Sequence, residues 1–335
     1  MPPSRQTLNQ RLQVLREVIL PGSIVLGLVI LVRLVGWLQI HEWMLFDQFS
    51  RVCPAQPHSA SVVMVGIDET DLEQVGGYPV ADRILAQALR ILAEQKPSAI
   101  GLDLFRNLPI EPGHAELRQV LSTLPNLVGA EVILNANPAL NVAPPPGLPP
   151  ARVGFTDVVV DGDGKLRRAL LASPTWAGEL RYSLDLRLAQ LHLATRGVAF
   201  RHGARSRDPI RFGDRVIPRF QPNAGGYIRA DANGNQMLLN FCASGDMLPI
   251  VPLRDLLQKK FDSALIRDRV VIIGMTAASV KDVFFTDALR ETILSQKSDT
   301  PVCFFLWLLC GTGAMVARGA KRFGALWGWI GHLVL

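Results

Sequence analysis

The chain of 335 residues can hold one large domain or two ordinary ones, and 49% hydrophobic residues supply an ample core. This composition excludes a chain that is disordered throughout, and four cysteines are too few for a disulfide scaffold. The net charge of +6 arises beside hydrophobic segments, because residues 41–300 carry equal numbers of basic and acidic side chains. A nucleic-acid-binding face would concentrate the charge on the folded domain, so no nucleic acid partner is expected.

The first predicted element is a transmembrane helix over residues 18–40, an apolar stretch interrupted only by Arg33. A helix of that length rises about 35 Å, more than the hydrocarbon core of about 30 Å. Residues 301–317 predict a second transmembrane helix, and residues 323–335 predict the start of a truncated third one. We expect the first helix to be an uncleaved signal anchor, since no small-residue cleavage site follows it; a cleaved signal peptide is the alternative.

Basic residues on both sides of the large central segment predict its sidedness. Positive charge in short loops marks the cytoplasmic side of a membrane, and both residues 1–17 and the turn 318–322 are basic. The two loops agree only if residues 41–300 lie outside. The sequence therefore predicts a multi-pass protein of the inner cell membrane, with a cytoplasmic N-terminus and an extracytoplasmic main domain. A bacterial membrane is the simplest setting.

The central segment predicts a single extracytoplasmic α/β domain with a mostly parallel sheet core and antiparallel hairpin embellishments, flanked by transmembrane helices. A buried strand at 61–67, a helix at 82–95 with Asp82 as its N-cap, and a strand at 98–104 form a right-handed βαβ unit. The remaining predicted elements are a helix at 113–122, a strand at 126–134, a hairpin around 161–164, a helix at 183–195 capped by Ser183, a hairpin at 231–235 and a strand at 268–276. Fully apolar strands imply a sheet covered on both faces.

Four runs of sequence occur in a recognisable order along residues 45–290: VVMVGIDETDLEQVGGYPVADRILAQALRIL, PSAIGLDLF, VGFTDVVVDGDGKLRRALL and RVVIIGMTAASVKDVFFT. In content and order they resemble the second type of CHASE domain, the sensory extracellular domain associated with cyclases and histidine kinases. The resemblance implies a sensory module between one N-terminal membrane helix and usually three C-terminal ones, which lead to a cytoplasmic output domain. These 335 residues encode no cyclase or kinase, so we expect a ligand-binding module of a signal-transduction receptor without its own output domain.

Residues that follow the predicted strands are the candidates for a ligand site. Asp68 and Asp103 each end an apolar strand, and open parallel sheets bind ligands beyond the carboxyl ends of their strands. Two carboxylates there could bind a cation or a ligand amine; the alternative is that each caps the following turn or pairs with Arg83. Arg83 itself could hold an anionic ligand. Lys281 and Asp282 follow the last strand and are candidates for the same crevice.

The chain shows neither catalytic motifs nor metal-ligand spacing, so we expect no enzyme activity, no cofactor and no metal. Two alternatives remain: an extracytoplasmic hydrolase that uses Asp68 and Asp103, and a structural envelope protein that binds polymer through the arginines of residues 196–219. The expected partners are membrane lipid and an unidentified small-molecule or environmental ligand. A second copy, a full-length receptor or a separate cytoplasmic output protein could complete a dimer. Cys53 and Cys242 share the oxidising side, where a disulfide can form.

Overall fold

The structure is a computed structural model, and it describes residues 15–52, 61–134, 137–239, 248–280, 283–284 and 295–296. The chain divides into two compact units, one formed by Met1–Phe49 with Gln221–Asp231 and the other by Ser50–Phe220 with Ala232–Leu335. The predictions for the C-terminal membrane segments, the basic turn, residues 1–14 and the cysteine pair lie outside the described residues.

The first unit contains two helices that meet at a sharp angle. Helix α1 (Leu20–Val35) follows a π-helical turn at Leu15–Ile19, and helix α2 (Gln39–Val52) leaves at 86° to it. Gly36 ends α1 because it adopts the left-handed conformation, with φ of 90°. The helix predicted over residues 18–40 is thus interrupted. No single helix in the described ranges has the length and apolar content to cross a bilayer; the two bent helices meet that test only together.

The second unit is built on a six-stranded sheet in which every pairing is parallel. Its strands, in spatial order, are β12 (Ile250–Pro252), β1 (Val62–Ile67), β13 (Val270–Met275), β2 (Ala99–Leu102), β3 (Leu127–Glu131) and β4 (Val153–Phe155). The predicted parallel core is confirmed. Strand β13, from the far end of the domain, lies between β1 and β2, so these two strands are not neighbours.

Helices and an antiparallel sheet cover the two faces of this parallel sheet. The helices of this unit are α3 (Glu69–Val75), α4 (Asp82–Glu94), α5 (His114–Thr123), α6 (Leu184–Ala194) and α7 (Leu253–Leu257). Side chains alternate along β1, so that Val63 and Val65 join one core with α4, α5 and α7, while Val62 joins another with α6. Asp82 is not the N-cap that the sequence predicts: Ala81 takes that position, and Asp82 is the first helical residue.

Of the two hairpins that the sequence predicts, the structure confirms one and contradicts the other. Strands β5 (Val159–Val160), β6 (Leu166–Pro174), β7 (Leu180–Tyr182) and β11 (Asn235–Leu238) form a four-stranded sheet, and the Asp-Gly-Asp-Gly turn joins β5 to β6 as predicted. The hairpin predicted at 231–235 does not form, because β11 pairs with β6 and residues 221–234 contain no strand that could pair with it. Three short strands, β8 (Phe200–Arg201), β9 (Arg211–Phe212) and β10 (Arg215–Val216), form a further sheet, and β14 (Val283–Phe284) pairs with β15 (Ser295–Gln296).

Candidate functional site

A pocket lies at the carboxyl edge of the parallel sheet, where β2 and β4 end. About 20 Å³ of its interior is open to the centres of water molecules, which is room for roughly one water. Its polar lining consists of Asp103, Thr156, Asp157, Arg168, Ser183 and Asp185. We name this site the edge pocket.

Residues that directly follow the parallel strands form one side of the edge pocket. Asp103 directly follows β2, and Thr156 and Asp157 directly follow β4. The Asp157 carboxylate accepts hydrogen bonds from the backbone N–H groups of Ile133 (2.9 Å) and Leu134 (3.0 Å). These two hydrogen bonds fix the chain that follows β3, so Asp157 has a structural role.

Residues at the start of helix α6 form the opposite side of the edge pocket. Ser183 caps the helix, since its Oγ accepts a hydrogen bond of 3.2 Å from the backbone N–H of Leu186, and Asp185 lies in the first turn. The helix begins close to β4 because Gly154 has no side chain: a Cβ there would overlap the backbone of Leu184. This close approach brings Asp185 to the sheet edge.

Asp185 is a buried carboxyl group with an unusually high pKa. The residue is buried, with 8% of its surface exposed, and no arginine or lysine in the described ranges forms a salt bridge with it. Burial raises the pKa of Asp185 to about 7, and the nearby negative charge of Asp103 contributes to the same shift. Near neutral pH a large fraction of Asp185 therefore carries a proton and is uncharged.

The arginine of the pocket is oriented by other partners. The Nε and Nη2 atoms of Arg168 donate to Asp161 Oδ1 at 3.0 and 2.7 Å, and its Nη1 donates to Gln236 Oε1 at 2.9 Å. The guanidinium also lies 5.0 Å from the ring centre of Phe220. The Asp-Gly-Asp-Gly turn therefore holds this cation in place, consistent with a structural role for the turn.

Asp68 has the capping role that the sequence analysis gave as the alternative. It caps α3 by accepting a hydrogen bond of 2.9 Å from the N–H of Asp71, and Arg254 Nη1 donates to both its carboxylate oxygens at 2.8 and 2.7 Å. The hydrogen bond from Arg254 keeps the pKa of Asp68 low despite some desolvation. Strands β1 and β2 flank β13, so their ends lie roughly 10 Å apart. The edge pocket thus contains Asp103 but not Asp68.

The other predicted site residues lie elsewhere. Arg83 is on α4, with 59% of its side chain exposed, and its Nε is 3.8 Å from Glu116 Oε1 rather than beside either predicted aspartate. Lys281 and Asp282 lie outside the described residues. Within the described ranges, no group of three or more His, Cys, Asp or Glu side chains is placed to hold a metal ion.

Sequence reasoning missed Asp185, the residue that completes the pocket. An acidic residue in the first turn of a helix is common because it complements the helix dipole, so nothing in the sequence marks this one. Only the packing of α6 against β4 shows that its carboxyl group faces Asp103. Ser183 was predicted correctly as a cap, without its position in the pocket.

Comparison with known proteins places the chain in a family. The model of the CHASE2 domain matches residues 24–288, which is more than half of the chain. No curated protein and no solved structure matches it. CHASE2 domains are sensory extracellular domains of signalling receptors and are not catalytic. The match spans the parallel sheet and its edge pocket, and the chain belongs to the CHASE2 domain family.

Proposed function

We propose that this chain is the extracytoplasmic ligand-sensing module of a membrane receptor, and that the edge pocket receives the ligand. The observation that carries the proposal is the Asp103–Asp185 pair, which lines a pocket at the edge where open parallel sheets bind ligands. Membership of a family of sensory domains supports the same role.

The chemistry of the pair favours a protonated amine as the ligand group. A buried carboxyl group without a salt bridge gains most from a cation that brings its own hydrogen-bond donors. Ser183 and Thr156 add hydroxyl groups to the lining, and the enclosed space fits a small head group rather than a whole large ligand. A ligand amine would pair with ionised Asp185 in place of its proton, and would shift the conformational equilibrium by its difference in affinity for the two receptor states.

The proposed arrangement in the membrane follows the basic loops. Residues 1–17 and 318–322 lie in the cytoplasm, residues 18–40 and 301–317 anchor the chain, and residues 41–300 lie outside the membrane. The exposed apolar surface of α1, of which no residue is buried, supports this arrangement.

A thermal-shift experiment tests the ligand site. The full chain in detergent is heated with ammonium, ethanolamine or putrescine, and with sodium at equal ionic strength as the reference. An amine at about 100 times its Kd would stabilise the folded state by about 2.7 kcal/mol and raise Tm by roughly 5–10 °C. Asp185→Asn should abolish the shift, whereas Asp68→Asn, the matched control outside the pocket, should retain it. Equal shifts in wild type and Asp185→Asn would place amine binding elsewhere.

A reporter experiment tests the sidedness. Alkaline phosphatase or a fluorescent protein is inserted into the proline-rich loop at residues 143–150 of the full chain. The phosphatase is active only outside the cytoplasm, so we expect an active phosphatase and a dark fluorescent protein. The reverse pattern would refute the extracytoplasmic assignment.

A further inference from the structure

The polarity of helix α2 is inverted relative to a helix of a soluble domain. Its acidic residues Glu42 and Asp47 face the protein, with Asp47 only 2% exposed. Four apolar residues of its outer side are each between 53% and 60% exposed: Ile40, Met44, Leu45 and Phe49. The exposed polar residues among them are His41 and Gln48, and neither is a carboxylate, lysine or arginine. A surface helix normally places its charged residues outward, so this exposed patch needs an apolar partner.

The loop Gln221–Asp231 covers the polar side of α2. Gln39 Oε1 accepts a hydrogen bond of 2.9 Å from the backbone N–H of Ile228. The ring of Trp43 is 6% exposed and lies 5.2 Å from the ring of Tyr227, centre to centre. These contacts orient α2, so its outward apolar side is set by packing within the first unit and does not depend on a partner.

An ion pair connects α1 to α2 next to the bend. Arg33 Nε lies 2.8 Å from Glu42 Oε1, and Arg33 Nη2 donates to the carbonyl of Gly225 at 3.1 Å. Gly226 lets the loop reach this point, since a Cβ there would lie 2.7 Å from the Cβ of Glu42. The charge near the end of the apolar helix is therefore neutralised within the protein.

From these observations we infer that α2 is an in-plane membrane helix, with its apolar side inserted at the boundary between lipid headgroups and acyl chains. The inference rests on the proposed function, in which α1 enters the bilayer. Since α2 is bent by 86° from α1, a membrane-crossing α1 directs α2 along the membrane surface. The apolar patch is continuous in sequence with the exposed surface of α1 through Trp37, which is 75% exposed, and tryptophan favours this boundary. Helices of this kind bury their apolar face about 5–10 Å deep.

Fluorescence quenching in vesicles tests the position of α2. The full chain, with its four cysteines replaced by serine, carries an NBD label at Met44→Cys and is reconstituted into phosphatidylcholine vesicles. The vesicles contain lipids spin-labelled either near the acyl carbonyl or near the chain end. We expect several-fold stronger quenching of the Met44 label by the shallow spin label than by the deep one.

Two further labels separate this inference from the anchoring on which it rests. A label at Val29→Cys in α1 should be quenched by the deep spin label, and one at Leu108→Cys, an exposed apolar residue of the second unit, should not be quenched. If Val29 is quenched and Met44 is not, the anchor stands and the in-plane helix is refuted. If neither is quenched, the anchoring fails as well. Disulfide-linked dimers through an unquenched Met44→Cys would assign the apolar side to a second copy and also refute the inference.

Discussion

Replacing Asp185 by asparagine removes an ionisable group from the edge pocket and should change how stability depends on pH. The folded-state pKa of Asp185 is raised to about 7 from an ordinary value of 3.8, so the folded chain holds a proton that the unfolded chain has released. Stability therefore falls as pH rises between these two values. At 1.36 kcal/mol per pKa unit the loss is about 4 kcal/mol, of which roughly 3 kcal/mol falls between pH 5 and pH 8.

The assay is thermal unfolding of the detergent-solubilised full chain, followed by far-UV circular dichroism at about pH 5 and about pH 8. The stability of Asp185→Asn relative to wild type should increase by roughly 3 kcal/mol between these conditions, a Tm difference of several degrees. Asp163→Asn is the matched control, whose difference in stability from wild type should stay constant between pH 5 and pH 8. Burial opposes ionisation of Asp163, but the hydrogen bond and charge of Arg167 outweigh it and keep its pKa low. That variant should therefore be less stable than wild type near pH 8, and the deficit should shrink as the pH falls through the lowered pKa. A difference between Asp185→Asn and wild type that stays constant from pH 5 to pH 8 would refute the assignment of a neutral buried carboxyl group.

Two other predictions concern the architecture of the pocket. Asp103→Asn removes the negative charge that helps to raise the pKa of Asp185, so the folded-state pKa of Asp185 should fall. In the same melting experiment the stability loss should then be smaller and level off at lower pH; an unchanged pH profile would show that the two carboxyl groups do not interact. Gly154→Ala places a Cβ against the backbone of Leu184 and should destabilise the chain by about 1–3 kcal/mol in urea unfolding, whereas Gly162→Ala, which has open space around it, should have little effect. Equal effects of the two alanine variants would contradict the close approach of β4 and α6.

Much of the fold could be predicted from local patterns. Apolar runs of strand length and the 3.6-residue stripe of α4 reflect burial on one or two faces. Ser183 could be predicted because a capping residue bonds to the backbone of its own helix, only a few residues away. The position of β13 between β1 and β2 could not be predicted, because strand order depends on contacts between residues far apart in the sequence. The break at Gly36 was missed because hydropathy is continuous across it, whereas the backbone conformation is not.

The candidate site was predicted only in part, for a related reason. Asp103 was found because a rule for parallel sheets directs attention to strand ends. Asp68 satisfies the same rule, but Arg254, 186 residues away in the chain, neutralises it. Asp185 was not found, because its unusual burial arises from a helix packing against a strand end. Residue type and spacing identify groups that can do chemistry, whereas desolvation and partners decide which of them remain available.

The way the chain passes between its two units has a consequence for folding. The backbone crosses from one unit to the other three times, after Phe49, after Phe220 and after Asp231. The two stretches of the first unit, which end at Phe49 and begin at Gln221, are therefore separated by most of the second unit in the sequence. Phe220, the last residue before one crossing, is tied to the sheet by a hydrogen bond of 2.7 Å from its N–H to the carbonyl of Gln236. Contacts within the first unit thus close a long loop, Ser50–Phe220, and the entropy lost in closing it has to be offset by those contacts.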